Sequence, residues 1–196
     1  RGRTALHYAA VLADGGLVYQ QLIECGADQM ATDMFGKKPE DYLISQVEIS
    51  AQVLRDGSIG PNKTPGAVRR SRKQSSLMHR SNIKELIRQG NLSTLEEVVL
   101  QGFGDRLLGE TSHAPLVQEF LDKLPDFIDQ ITELHRSTMK GNLREFQGLL
   151  DRKSMITARD QIGATPLHKA VLYGHYDLAE YIATNFPVTL DARDNL

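Results

Sequence analysis

The sequence is poor in cysteine, tryptophan and long apolar runs. Its 196 residues contain a single cysteine, Cys25, and no tryptophan. One cysteine excludes an internal disulfide and favours a cytosolic or nuclear setting. No apolar run approaches the ~18 residues that a membrane-spanning helix needs, and no signal peptide opens the sequence. The sequence therefore predicts a cytoplasmic protein without a membrane span.

Recognisable catalytic and metal-binding patterns are missing as well. The six histidines show no H-E-x-x-H spacing, and neither G-x-S-x-G nor a glycine-rich phosphate loop is present. Cys25 ends an apolar segment beside Leu22 and Ile23, which favours a small buried hydrophobe over a nucleophile. The sequence predicts no enzyme activity, no cofactor and no metal site.

The sequence has little net charge, because its 23 Lys and Arg residues nearly balance its 25 Asp and Glu residues. Nucleic-acid binding usually shows as a strongly basic domain or face, so no nucleic-acid partner is expected. The exception is local: residues 56–76 are rich in Arg, Gly, Pro and Ser and lack apolar periodicity. This composition predicts a connecting linker.

The same linker carries basic residues placed for a kinase. Arg72 and Lys73 each precede a serine by three positions, at Ser75 and Ser76. Basophilic kinases recognise serines placed this way, and a phosphate adds up to about two negative charges. Phosphorylation of Ser75 and Ser76 is one hypothesis. A linker kept soluble by its charge and a nuclear-import signal are the alternatives.

What the sequence does contain is a repeated helix-turn-helix pattern. The stretch GATPLHKAVLYGHYDLAEYI at 163–182 is echoed by GRTALHYAAVLADGGLVYQQLIECGAD at 2–28. Thr165 can cap a helix whose first position is Pro166, and Gly174 tolerates the positive φ at which that helix ends. The apolar residues that follow fall on one face of a second helix. Each copy is therefore predicted to form two short antiparallel helices.

This pattern resembles the ankyrin-repeat family, whose unit carries a D-x-x-G turn, a T-P-L-H-x-A helix start, a G-H pair and a second apolar helix. The match at 160–182 is nearly complete, the copy from Gly2 is slightly degenerate, and a further turn at 33–36 precedes Pro39. The resemblance implies an all-α solenoid of stacked helix-turn-helix units. It also implies that His7 and His168 hydrogen-bond neighbouring repeats.

The remaining repeats are predicted to be degenerate. The segments GNLSTLEEVVLQG from Gly90 and GNLREFQGLLD from Gly141 have the pattern of second helices, and residues 126–131 are expected to continue into 132–139 as one longer helix. The segment 115–134 is also compatible with an amphipathic helix that lies in a partner's groove. The predicted organisation is repeats in 1–55, the linker 56–76 and repeats in 77–196, with a regular repeat at 160–192 and the start of another at 193–196. This last turn predicts that the sequence is a piece of a longer array.

The resemblance also places the binding surface. Partners of ankyrin repeats usually meet the hairpin tips and the first-helix side, which form a concave groove. Phe35 and Tyr173 are the favoured anchors, because a rigid aromatic side chain desolvates a large area at low entropic cost. Packing on the adjacent repeat is the alternative for each. The expected partner-binding residues are Arg3, Tyr8, Met34, Phe35, Lys37, Gln161, Ile162, Lys169 and Tyr173.

Two functions remain open from the sequence. The first is a non-catalytic scaffold that binds partner proteins through the concave groove, with the linker dividing the array into two blocks. The alternative is a regulatory or targeting module of a larger enzyme or channel, with the Ser-rich linker as a phosphorylation switch. Both predict the same partners, namely other proteins and adjacent repeats of the same full-length chain.

Overall fold

The computed structural model describes residues 2–44, 80–150, 152–160 and 162–195. These residues form helices and turns, and no strand occurs among them. The α-helices are α1 Ala5–Ala9, α2 Leu17–Glu24, α3 Pro39–Ile44, α4 Arg80–Gln89, α5 Leu92–Val98, α6 Pro115–Asp122, α7 Leu124–Lys140, α8 Leu143–Leu149, α9 Pro166–Leu172 and α10 Tyr176–Asn185. A π-turn Val99–Phe103 and 3₁₀ turns at Gly104–Arg106, Lys153–Thr157 and Pro187–Thr189 complete the described elements.

The G-N-L triplet that occurs twice in the sequence starts the two degenerate second helices. Asn91 accepts the amide of Thr94 at 3.2 Å at the start of α5, and Asn142 accepts the amide of Glu145 at 3.2 Å at the start of α8. An asparagine in this position satisfies one of the free amides of the first turn. The preceding glycine, such as Gly141 with φ +70°, ends the helix before it.

Helix α7 is the longest helix among the described residues. It runs from Leu124 to Lys140 without a break at Ile131, so the prediction of one continuous helix is confirmed. Pro125 lies in its first turn, where a missing amide donor costs little. Because α7 is this long, one of its faces can pack along α9.

The helices stack in two rows. Helices α7, α9, α1 and α3 follow one another in the first row, while α10 packs on α2 in the second. Helix α8 joins the second row through an edge contact between the rings of Phe146 and Tyr181, whose centroids are 6.4 Å apart. Helices α4, α5 and α6 lie before α7. The order in space is thus α4 to α10 followed by α1 to α3.

The core is a series of thin apolar layers between neighbouring pairs. Leu6, Leu134, Leu167 and Phe146 are all 0% exposed and belong to one continuous cluster of buried residues. Burying one such side chain contributes about 1.5–3 kcal/mol. The predicted apolar face of α10, with Leu178, Ala179 and Ile182, is fully buried in the same way.

The predicted linker, residues 56–76, lies outside the described residues, and its boundaries stay a prediction. The expected division of the array into two separate blocks is not what the described residues show. The helices that precede the linker pack directly on the last repeat, α1 on α9 and α2 on α10.

Candidate functional site

A cavity of about 480 Å³ lies between helices α7 and α9 and the two turns that follow α5. Tyr8 of α1 lines it from the next unit of the stack. We call this space the α7–α9 cavity. Most of its wall is apolar, contributed by Val99, Ile128, Ile131, Met139, Leu172 and Tyr173.

One ion pair fixes the turn beside the cavity. Lys169 Nζ lies 2.9 Å from Asp160 Oδ2, with side chains only 13% and 19% exposed. The other carboxylate oxygen of Asp160 accepts the amides of Ile162 at 3.0 Å and Ala164 at 2.8 Å. A half-buried carboxylate with three such partners holds the turn in one conformation.

A second cation lines the same wall. The Arg159 guanidinium donates to the carbonyl oxygen of Gly163 at 2.8 Å and to that of Arg193, and burial lowers the pKa of Arg159. Arg136 stands at the rim and pairs with Glu133. The cavity therefore combines an apolar interior with charged groups of both signs at its edge, since Asp105 and Asp160 line it as well.

Beside the cavity, Thr165 and His168 connect two units of the stack. His168 Nδ1 lies 2.8 Å from Thr165 Oγ1 and accepts the Thr165 amide at 3.3 Å. Because Nδ1 accepts a hydrogen bond, the ring proton lies on Nε2, which donates to the Arg3 carbonyl oxygen at 3.1 Å. The His168 ring therefore links α9 to a residue 165 positions away in the chain.

Thr4 and His7 repeat the same arrangement in the next unit. His7 Nδ1 lies 2.9 Å from Thr4 Oγ1 and accepts the Thr4 amide at 3.1 Å, while Nε2 donates to the Lys37 carbonyl oxygen at 3.2 Å. Burial lowers the pKa of both His7 and His168, which keeps the rings neutral and fits this donor-acceptor role. The expectation that these histidines tie neighbouring repeats is confirmed.

The comparisons with known proteins agree with this geometry. Ankyrin-repeat family profiles match residues 163–192 and residues 1–34. The chain is an ankyrin-repeat protein. No curated protein and no solved structure matches it. Ankyrin repeats generally mediate protein–protein interaction, which implies protein partners for this ankyrin-repeat protein.

The α7–α9 cavity brings together four of the predicted partner-binding residues, namely Tyr8, Ile162, Lys169 and Tyr173. Tyr8 is 3% exposed and donates its hydroxyl to Asp194, and Lys169 is held by its ion pair. Ile162 and Tyr173 are half-buried. The Tyr173 ring stacks on His175, with centroids 6.4 Å apart.

The other predicted partner-binding residues lie at the next turn of the ankyrin stack. Phe35 is 68% exposed and Met34 is 54% exposed, so neither packs fully on the adjacent repeat. Arg3 and Lys37 both approach the ring of Tyr42, at 5.4 and 5.5 Å from its centroid. Gln161, Ser75 and Ser76 lie outside the described residues and stay predictions.

Sequence reasoning missed the polar residues of the cavity wall, among them His135 and Arg159. The signal for His135 was its register, since it shares a helical face with Ile128, Ile131 and Met139. Arg159 precedes the D-x-x-G turn and had no pattern to mark it. Cys25 was expected to be buried and is half-buried, with Sγ 3.8 Å from Thr184 Oγ1.

Two kinds of feature are absent from the described ranges. Within residues 2–44, 80–150, 152–160 and 162–195, no three His, Cys, Asp or Glu side chains are grouped to hold a metal ion. No helix of that same part of the chain has the length and apolar character to cross a bilayer.

His135 is an unusual core residue. It is 4% exposed, and neither ring nitrogen makes a hydrogen bond to a described residue. Burial and then the charge of Lys169 lower the pKa of His135 to about 3, while Asp160 and the Ala158 backbone oppose the shift only in part. His135 is therefore neutral in the folded ankyrin stack.

Replacing His135 with leucine should reduce the acid sensitivity of the protein. The unfolded ring binds a proton below about pH 6.5, and the folded ring excludes it down to about pH 3. Because the unfolded state binds more protons in this window, stability falls as the pH falls, by about 1.4 kcal/mol per pH unit. His135→Leu removes this loss and leaves stability at pH 7 unchanged or about 1 kcal/mol higher. Urea unfolding at pH 7.0 and about 5 measures both effects.

His113→Leu, at an exposed ring, serves as the control for this prediction. Both variants remove an imidazole ring, but only the ring of His135 is buried. If His113→Leu reduced the pH dependence of the free energy of unfolding as much as His135→Leu, burial of His135 would not be the source of that dependence.

Proposed function

We propose that this ankyrin-repeat protein is a non-catalytic scaffold that binds a segment of a partner protein on its first-helix side, with an apolar side chain of the partner in the α7–α9 cavity. The observation that carries the proposal is the cavity itself, an apolar space of about 480 Å³ lined by four predicted partner-binding residues. Ligand pockets combine mainly apolar walls with a few placed polar groups.

The rigidity of the wall supports this role. Asp160 and Lys169 hold the turn on one side, and the continuous helix α7 forms the other. A preformed cavity spares the partner the cost of ordering the site, and most binding energy comes from a few side chains that fill such pockets. The charged groups at the edge, Arg136 and Arg159 beside Asp105, favour a polar residue next to the apolar anchor.

The turn at Met34 and Phe35 supports a second contact. Phe35 is a large aromatic side chain that the stack leaves 68% exposed. Its amide is fixed by Asp33 Oδ1 at 2.8 Å, so the turn that carries it is ordered. An exposed aromatic on an ordered turn is typical of an interaction anchor.

Ile162→Asp should weaken partner binding at least about tenfold, because it places a charge in the apolar wall of the cavity. The measurement starts from a random peptide library displayed on phage and selected on the immobilised 196-residue chain. Enriched peptides are synthesised and titrated by fluorescence anisotropy against the wild type and Ile162→Asp. We expect the enriched sequences to share one large apolar residue near a polar one.

Val188→Asp is the matched control, since Val188 is 72% exposed and does not line the cavity. It introduces the same charge elsewhere and should leave the affinity unchanged. Phe35→Ala, titrated in parallel, tests the turn. Peptides that bound wild type, Ile162→Asp and Val188→Asp equally well would place the binding site away from the α7–α9 cavity.

A further inference from the structure

Each D-x-x-G turn of this ankyrin stack is closed by the same set of hydrogen bonds. The amide of Asp160 donates to the Ala164 carbonyl oxygen at 3.0 Å, and Asp160 Oδ1 accepts the Ala164 amide at 2.8 Å. The amide of Asp33 donates to the Lys37 carbonyl oxygen at 2.9 Å, and Asp33 Oδ1 accepts the Lys37 amide at 3.0 Å. In both turns the two partners are four residues apart.

A third turn has the same bonds, but its two sides come from distant parts of the chain. The amide of Asp194 donates to the Arg3 carbonyl oxygen at 3.0 Å, and Asp194 Oδ1 accepts the Arg3 amide at 3.0 Å. These residues are 191 positions apart. Asp194 also accepts the Tyr8 hydroxyl, as Asp33 accepts that of Tyr42. Arg3 thus occupies the position that Ala164 and Lys37 occupy in the continuous turns.

The contact extends into the second row of helices. Cys25, at the end of α2, lies beside Thr184 of α10, and Asp191 accepts the amide of Asp28 at 3.0 Å. Arg193 donates to the Thr32 carbonyl oxygen. We call the surface between residues 2–34 and residues 163–195 the permuted seam, because the later repeat precedes the earlier one in space.

We propose that the permuted seam is also an intermolecular joint, in which residues 2–34 of one copy dock on residues 163–195 of a second copy of this chain. All the contacts of the seam are noncovalent and link segments far apart in sequence, so a second copy offers the same donors and acceptors. Two copies that exchange these segments form a closed dimer with two seams and lose no contact. The partner is a second copy because it carries both complementary halves, residues 2–34 and residues 163–195.

Concentration decides between the internal and the exchanged seam. Segments tethered on one chain meet at an effective concentration on the order of 1 mM, so dilute chains close the seam on themselves. Exchange also requires the existing seam to open, so it occurs when unfolded chains refold together. Chains refolded near the effective concentration should yield about half exchanged dimer, and chains refolded at about 5 µM should yield almost none.

Thr184→Cys makes the seam measurable. Cys25 Sγ lies 3.8 Å from Thr184 Oγ1, so a second thiol there is placed to form a disulfide with the native cysteine. The full chain carrying Thr184→Cys is refolded from urea at about 5 µM and about 1 mM, diluted and oxidised. An internal seam gives a cross-linked monomer on a non-reducing gel, whereas an exchanged seam gives a covalent dimer. Wild-type chain refolded in the same way and sized by light scattering provides a readout without substitution.

Asn185→Cys is the control, since Asn185 is exposed on the next position of α10. It reports random oxidation of two accessible thiols. The expected result is monomeric cross-links at low concentration and dimeric cross-links, specific to Thr184→Cys, at high concentration. Monomeric cross-links at every concentration overturn the exchange. Absence of any Thr184→Cys cross-link, or dimers equally frequent in Asn185→Cys, overturns the seam as the joint. The cavity keeps Tyr8 in its wall whether the same chain or the second copy supplies it, so the peptide titration tests the proposed function separately.

Discussion

Asp194→Ala should lower the free energy of unfolding by about 3 kcal/mol. Asp194 is 5% exposed, its Oδ1 accepts the Arg3 amide at 3.0 Å and its Oδ2 accepts the Tyr8 hydroxyl. Tyr8 is itself 3% exposed, and burial together with Asp194 raises the pKa of Tyr8. Truncating Asp194 leaves two donors without their acceptor, one of them fully buried, and each such loss costs about 1–3 kcal/mol.

Asp191→Ala is the matched control for this prediction. Asp191 is exposed and accepts a single amide, that of Asp28, on the outer side of the same seam. We expect a loss below about 1 kcal/mol, because water replaces the lost bond. Urea unfolding followed by circular dichroism measures both variants. Equal losses for the two aspartates would show that the inner bonds of the permuted seam do not stabilise the fold.

The sequence predicts those parts of the fold that depend on local chemistry. Thr165, Pro166 and His168 stand within four positions of one another, and their spacing is enough to predict the start of α9. The role of the histidine ring followed from the resemblance to ankyrin repeats. The continuity of α7 follows equally from local information, because no turn residue interrupts it. Helix starts, helix ends and buried faces are set by residues a few positions apart.

The order of the repeats in space could not be predicted in this way. It depends on Asp194 meeting Arg3 across 191 positions and on His168 meeting Arg3 across 165. Residues 193–196 were interpreted as the start of a further turn. In the structure Asp194 completes a turn with Arg3 instead. A period in a sequence identifies units that stack, but the order of stacking is set by which surfaces are complementary.

The candidate site was predictable in part for the same reason. The positions that an ankyrin repeat leaves variable gave Ile162, Lys169 and Tyr173, and these line the α7–α9 cavity. The opposite wall comes from α7 and from the turns after α5, in repeats without the T-P-L-H signature. The contribution of this opposite wall depends on how closely the π-turn Val99–Phe103 approaches the turn at Asp160. Gly102 allows that close approach.

Gly102→Ala should destabilise the protein by about 3–4 kcal/mol and should push the π-turn away from the turn at Asp160. Gly102 has φ +82°, and a Cβ built on it would lie 2.8 Å from the Asp160 carbonyl oxygen and 3.0 Å from that of Arg159. Both neighbours are backbone atoms, so no side chain can rotate away. The Arg159 amide also donates to the Leu100 carbonyl oxygen at 2.7 Å, and this hydrogen bond holds the π-turn against the segment that contains Arg159 and Asp160.

Gly109→Ala separates the two sources of that cost. Gly109 has φ +79°, and a Cβ built there meets no atom of the described residues within 4 Å. The left-handed conformation alone costs about 1–2 kcal/mol, so Gly109→Ala should lose only that much in urea unfolding. The excess loss in Gly102→Ala then measures the close approach of the π-turn to the turn at Asp160, because crowding against backbone adds about 1–3 kcal/mol. If the two alanine variants were equally stable, the π-turn would be free to move away, and the α7–α9 cavity would lack the fixed wall on which its proposed partner depends.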